Sequence, residues 1–401
     1  MTRVDRRTVL ARLAWSRIAE PGDQVAGALV GSLGPVEALA MLREADGRAE
    51  PAFVSQPDGA DRLGRAVARW LPRLAGVDAE RDLRHITALG GTVLVPEDAR
   101  WPARLADLGA AAPHGLWLLG SAELDEVFER SVAVVGARAC TAYGEHVTSE
   151  LSADLAGRGW TVVSGGAYGI DAVAHRAALC VEGRTAAFLA GGVDRLYPAG
   201  NARLLRAVAE RGAAVISEVP PGSAPTKTRF LQRNRLIAAV SAGVVVVEAA
   251  WRSGALNTAG HAAELLRPVG AVPGPVTSAS SAGCHRLLRD GAAVCVTDAA
   301  EVVELVGPVV GGGVEDGRAD SAWDGLTIEA RRVADALPVV RGVTAESLTV
   351  SAGLALAQTR AALGSLELAG VAVGEGGRWR LRRGPARPGD KDGHLGHPNR
   401  L

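Results

Sequence analysis

Between residues 131 and 306 short apolar runs recur, most of them separated by helix-length stretches: SVAVV, TVVSG, TAAFLA, AAVISE, VVVVEA and VGAVPG. A run of four to six apolar residues without polar alternation is buried on both faces, and a crossover helix between runs lets successive strands lie parallel. The chain is therefore expected to adopt an α/β fold with a Rossmann-like, doubly wound, mostly parallel sheet. VVVVEA should be a central strand. Ligands of such sheets sit beyond the carboxyl ends of the strands, so the residues after each run matter most for function.

The flanks read differently. Residues 6–75 place apolar side chains three and four apart, as in Val9, Leu10, Leu13, Ala14 and again Ala26, Leu29, Val30, Leu33, which reads as a small helical bundle. A helical domain is expected over 1–78. ITALGGTVLV and GLWLL suggest strands that extend the next domain, expected over 79–306. Residues 307–322, GPVVGGGVEDGRADSA, have linker composition. After them EARRVADAL, AESLTVSAG and LAQTRAALGSLELAG read as three helices, followed by a hairpin turning at Gly-Glu-Gly-Gly. That is the pattern of a winged helix, expected over 323–383, with a disordered tail over 384–401.

Charge bounds the partners. Lys plus Arg and Asp plus Glu both number 44, so no bulk field attracts nucleic acid or membrane, and a polyanion site must be local. Arg12 and Arg17 interrupt the apolar N-terminal stretch and nowhere do eighteen uncharged apolar residues run together, so neither a signal peptide nor a membrane span is expected. The expected location is the cytoplasm. Cys140, Cys180, Cys284 and Cys295 show neither a C-x-x-C pair nor a short spacing to histidine, so free thiols and no metal are expected.

Three stretches carry candidate chemistry. The first strand ends in Gly136-Ala137-Arg138 and the second in Ser164-Gly165-Gly166-Ala167-Tyr168-Gly169 before a helix. Glycines at a strand-to-helix turn let backbone N–H groups approach an anion, and Arg138 offers a forked donor for phosphate; a purely structural tight turn is the other reading. No G-x-G-x-x-G or G-x-x-x-x-G-K-[ST] occurs, which argues against a dinucleotide or nucleoside-triphosphate cofactor. The run Thr226 to Arg235, TKTRFLQRNR, contains Lys227, Arg229, Arg233 and Arg235 and no acid, and Lys227 is one of only two lysines in the chain. Cations can follow a single strand's backbone while Phe230 stacks on a base, unless Phe230 turns into the core. Finally, VVVVEA leads into Trp251-Arg252-Ser253-Gly254-Ala255-Leu256-Asn257-Thr258, where Ser253 and Gly254 open a helix and form a third lobe of the same site or simply its cap.

Catalytic groups are poorly arranged. His175, His261 and His285 are scattered, and Asp171, Glu218, Glu248 and Glu264 form no evident dyad, so no catalytic residue is assigned. Asp171 and Glu248 are expected to position the basic residues.

Taken together, VAVVGAR, SGGAYGID, LAGGVDRLYPAGN, ISEVPPG, RFLQRNRLIA, VVVVEA, RSGALNTA and SAGCHRLLRDGA, in this order from Val132 to Ala292, resemble the DprA (Smf) family of DNA-processing proteins. WPARL and PHGLWLLG extend the likeness upstream, and the two flanks are similar to that family's accessory domains, a SAM-like helical one and a winged helix. The resemblance implies a dimeric, non-enzymatic recombination mediator that binds single-stranded DNA and loads RecA on it during natural transformation. By motif position it implies a pocket of Arg138, Gly165, Gly166, Gly169, Lys227, Phe230, Arg233, Asn234, Arg235, Ser253 and Gly254. Two departures stand out: Phe-Pro-x-Arg-Asn-Arg of the family is Phe230-Leu231-Gln232-Arg233-Asn234-Arg235, and Ala137 stands where serine is common. The competing class is a Rossmann-like hydrolase of the lysine-decarboxylase-related type, whose glutamate three residues after a threonine is His261 here. A duplex-DNA regulator is a third, disfavoured because its candidate recognition helix holds Arg360 as sole basic residue beside Glu367.

Overall fold

The computed structural model describes residues 4–44, 57–307, 326–338 and 342–381. Most of the expected linker and the whole expected tail lie outside them. The chain divides into two compact units, at Pro308 and Val309.

Nine strands of the first unit form one sheet: β1 (Thr92–Leu94), β2 (Leu116–Gly120), β3 (Ser131–Val135), β4 (Thr161–Ser164), β5 (Thr185–Leu189), β6 (Ala214–Ser217), β7 (Gly243–Val246), β8 (Val269–Ala271) and β9 (Val294–Cys295). Their order is β1-β2-β6-β5-β4-β3-β7-β8-β9. Six pairings from β6 through β9 are parallel, whereas β1 and β2 add antiparallel at one edge. The apolar runs thus mark a mostly parallel, Rossmann-like sheet. VVVVEA, as β7, has parallel neighbours on both sides, but the middle position belongs to β4. The ITALG half of the upstream run is not strand, because it closes a helix capped by Asp78.

The helices of this unit are α1 (Arg6–Ile18), α2 (Gln24–Leu33), α3 (Pro35–Glu44), α4 (Pro57–Leu74), α5 (Ala79–Ala88), α6 (Leu124–Glu129), α7 (Ala142–Gly157), α8 (Ile170–Cys180), α9 (Ala202–Ala207), α10 (Lys227–Val240), α11 (Gly254–Glu264), α12 (Ala282–Arg289) and α13 (Ala299–Val306). Strand periodicity explains the two layers. Ala133, Val135, Val244 and Val246 face α10 and α11, while Val132, Val134 and Val245 face α7, α8 and α13. Both faces are dry, as the unbroken apolar runs require.

The helices α1 to α4 enclose their own core around Trp15 and Trp70, whose rings meet edge to face at 5.4 Å. Leu13 and Ile86 join Trp117, Leu189 and Val215, so this bundle is continuous with the sheet. Among the described residues no single helix is long and apolar enough to cross a membrane. The bent pair α2 and α3 meets that test by length and composition, yet its Ala26, Leu29, Leu39 and Leu42 are buried in the bundle core.

The second unit holds α14 (Ile328–Ala336), α15 (Ala345–Ala352) and α16 (Leu356–Leu368) with an antiparallel sheet of β10 (Val343–Thr344), β11 (Ala372–Glu375) and β12 (Arg378–Leu381), ordered β10-β12-β11. Val333, Leu348, Leu363 and Leu366 form its separate core.

Candidate nucleic-acid interface

The strand order reverses between β3 and β7. The chain leaves β3 toward β4, β5 and β6, then returns to place β7 on the other side, so the loops after β3 and β7 part and leave a crevice at their carboxyl ends. An open cavity of about 470 Å³ occupies it, with Gly136, Arg138, Phe230, Asn234, Arg252 and Ser253 in its lining. A narrower cavity of about 120 Å³ adjoins it, lined in part by Gly165, Tyr168, Arg195 and Tyr197. Arg138 and Phe230 belong to both walls. The Arg138 guanidinium carbon stands 5.0 Å from the Phe230 ring centroid, a cation–π contact that makes the pair a partition between the cavities. On the narrow side the Tyr197 ring lies 6.0 Å from that of Phe230.

Helix α10 presents Phe230. The Thr226 side chain accepts the Arg229 N–H at 3.2 Å and fixes the helix start. Lys227 follows, solvent-exposed and one turn before Phe230 on the same side of the helix.

The reading of TKTRFLQRNR as a run of acid-free, strand-following cations is corrected by partners from distant sequence. Arg229 donates to Glu20 at 3.0 and 3.2 Å. Burial alone raises the Glu20 carboxyl, but the hydrogen bonds and charges of Arg229 and Arg73 bring it below its ordinary value. Arg235, 3% exposed, grips both Glu218 oxygens at 2.6 and 2.9 Å and the Ala111 carbonyl. Arg233, 7% exposed, donates to the carbonyls of Gly165, at 2.7 Å, and Phe188. Burial brings its guanidinium down to about 10, against the pull of Asp171 and with help from Arg138. Arg233 therefore floors the cleft as a strut under the glycine turn. Asn234 donates to the Gly254 carbonyl at 3.3 Å and to Asn257 at 3.1 Å, tying α10 to α11.

A second correction concerns the anion expected at Gly165-Gly166. The N–H groups of Gly165 and Ala167 both donate to Asp171 Oδ2, at 3.1 and 3.3 Å. The nest holds the chain's own carboxylate. Burial pushes the Asp171 carboxyl up, opposed by Arg233 and by these N–H groups. Gly166 is buried beside Leu205, and Asn201 holds the carbonyls of Gly166 and Ala167 at 3.0 Å each. Gly169 has φ +74° and caps α8; a Cβ there would meet the Ala137 oxygen at 2.2 Å. Only glycine lets the two loops close up, with Ile170 N–H donating to Ala137 at 3.1 Å, and that contact sets the exposed Arg138 at the rim.

The loop after β3 is also anchored at its far end. Glu248, 1% exposed, accepts from the Thr141 N–H at 2.9 Å and its hydroxyl at 2.6 Å, and Thr141 caps α7. Across the crevice Ser253 accepts the Ala255 N–H at 3.3 Å as the cap of α11, and Gly254 lines the larger cavity beside it. Loops after β3, β4 and β7 thus meet one crevice.

Two of the histidines noted in the sequence have local partners: His261 pairs with Glu264 at 3.1 Å and His285 meets the Gly274 carbonyl at 3.0 Å. No three His, Cys, Asp or Glu side chains gather as a metal set among the described residues. The sequence reading did not single out Arg195, Tyr168 and Tyr197, of which both tyrosines are 50% exposed. The signal was positional, because VDRLYP with Arg195 and Tyr197 follows β5, and AYG with Tyr168 follows β4, at carboxyl ends of the sheet.

Residues 92–307 match the model of the family described as DNA recombination-mediator protein A. The DNA processing protein DprA of Mycobacterium tuberculosis is 47% identical over 387 residues, covering 93% of this chain and 95% of that protein. Protein Smf of Escherichia coli is 42% identical over 213 residues, 53% of this chain and 56% of its own length. In structure, DNA processing protein A from Streptococcus pneumoniae superposes with a TM-score of 0.60 at 31% identity, covering 75% of this chain and 98% of that one. With the family model spanning more than half of the sequence and a relative matched nearly end to end, the chain belongs to the DprA/Smf family.

Proposed function

We propose that this chain is a cytoplasmic, non-enzymatic recombination mediator that binds single-stranded DNA across the crevice, protects it, and hands it to RecA during natural transformation. The observation that carries the reading is the convergence of Arg138, Arg195 and Arg252 with a partly exposed Phe230 and two half-exposed tyrosines on adjoining cavities, with Lys227 one turn from Phe230. Guanidinium groups fit phosphate oxygens, and an aromatic face accepts any base, which together suit a strand bound without regard to sequence. Family membership supports the mediator role, and a homodimeric assembly is part of the same proposal. Within this reading residues 1–78 serve as a SAM-like domain, 79–306 as the DNA-binding domain, and 323–383 as a winged helix used for docking. Gly165, Gly166, Gly169, Arg233, Asn234 and Arg235 act by shaping the cleft, while Arg138, Lys227 and Phe230 touch the strand, with Ser253 and Gly254 offering donors at its edge. Nothing in the cleft favours the hydrolase alternative, since its lining carboxylate, Asp171, is bound to backbone N–H groups.

The test is a salt titration of oligothymidine binding. The double variant Arg138→Ala, Lys227→Ala should bind more weakly and flatten the logarithmic salt dependence by about 0.7 per lost phosphate contact. Unchanged affinity and slope defeat the assignment.

A further inference from the structure

The turn after β7 carries a feature the cleft does not use. Ser253 N–H donates to the Ala250 carbonyl at 3.0 Å, so residues 250–253 close as a β-turn with Trp251 and Arg252 at its two corners. Ala250, Arg252 and Ser253 line the larger cavity, and Trp251, between them in the turn, leaves 53% of its surface exposed. The indole is not loose. Arg286 of α12 holds its guanidinium carbon 5.1 Å from the ring centroid, a contact that orients the ring and brings a cation to it.

Helix α12 reaches this turn because residue 283 has no side chain. Gly283 N–H donates to the Ala249 carbonyl at 2.7 Å, and a Cβ there would lie 2.7 Å from that oxygen and 2.8 Å from the Ala249 methyl. The close approach places Arg286, three residues on, over Trp251. A large apolar ring at a turn corner is kept in water, pre-oriented, with one guanidinium against it and the next residue's guanidinium lining the cleft.

We propose that Trp251, backed by Arg286 and flanked by Arg252, is a second stacking position for a single-stranded polynucleotide and extends the track beyond the Phe230 partition. The inference rests on the reading of the crevice as a single-strand site. The exposed indole face takes a base of any identity, and Arg252 and Arg286 neutralise the phosphates on either side of it. A duplex, whose base faces are stacked, has nothing to offer that ring.

The experiment measures fluorescence anisotropy of labelled oligothymidines of about six and about twenty nucleotides on the full-length protein, the first near the short end of common single-strand site sizes and the second beyond their long end. Trp251→Ala should weaken the longer strand roughly ten-fold and leave the shorter one unchanged, as expected for one lost stacked base. Trp251→Phe should restore most of that loss, and Arg286→Ala should weaken the longer strand and flatten its salt dependence. Wild-type affinity of Trp251→Ala for the longer strand, or an equal loss at both lengths, overturns the proposal. Phe230→Ala in the same assay separates the two ideas. If it weakens both lengths while Trp251→Ala weakens neither, only the extension fails; if it weakens neither, the crevice assignment fails and the extension with it.

Discussion

Single residues of this chain do different work from what their type suggests. Arg235 has the look of a phosphate ligand, yet its guanidinium is enclosed with Glu218 and the Ala111 carbonyl. Removing one partner of a buried ion pair leaves the other charge uncompensated, so Arg235→Ala should cost about 3–5 kcal/mol in stability. Urea denaturation measures this, and a midpoint like that of the wild type would contradict it. His175 offers a second test. The Thr185 hydroxyl donates to the Val162 carbonyl, so it must accept from His175 Nδ1–H, 2.7 Å away, leaving Nε2 deprotonated and without a partner. Burial, aided by the charge of Arg233, brings this imidazole down to about 3, and burial does the same for His114. Histidine in an unfolded chain titrates near about 6.5, so below that pH the unfolded state takes up protons that the native state refuses. Stability is therefore complete at neutral pH and declines on acidification, by up to about 1.4 kcal/mol per pH unit for each histidine until about pH 3. His175→Asn should flatten the decline of the denaturation midpoint between pH 7 and pH 5, and an unaltered slope would count against the assignment.

Among the elements, the loops at the carboxyl ends of β3 and β4 behave as one piece. Gly169→Ala would drive a Cβ to within 2.2 Å of the Ala137 oxygen from a backbone at φ +74°. The loss should exceed the roughly 1 kcal/mol that a compatible glycine replacement gains, and oligothymidine binding should weaken because the Arg138 loop must retreat. Thermal unfolding and anisotropy on the same variant check both expectations. The strands themselves were legible in sequence because burial on two faces leaves unbroken apolar runs, as in SVAVV and VVVVEA. The antiparallel edge was not, since GLWLL reads alike in either direction and pairing is decided by the register of Trp117 against Ser217. Glycine turns and the basic run also announced the crevice. What stayed hidden was which cations remain in solvent, because the acids that engage Arg229 and Arg235 come from Glu20 and Glu218, outside the run. Local composition carries no record of such long-range pairing.

At the scale of the whole molecule, charge is balanced, and Arg138, Arg195 and Arg252 gather on the two adjoining cavities. The two units have separate cores, the second built on Val333, Leu348 and Leu363. A chain ending at residue 307 should therefore fold and retain its affinity for oligothymidine within about two-fold of the full-length protein, a margin small beside the ten-fold that 1.4 kcal/mol represents. Anisotropy on the truncated chain decides this, and a large loss would assign part of the binding surface to the second unit. The switch-point topology has a further consequence for biosynthesis. The crevice draws on residues from Val135 to Ser280, so no shorter N-terminal portion of the emerging polypeptide possesses it. Such distant pairings close late in folding. On a ribosome the emerging chain would thus lack this crevice until most of the sheet has been synthesised and assembled.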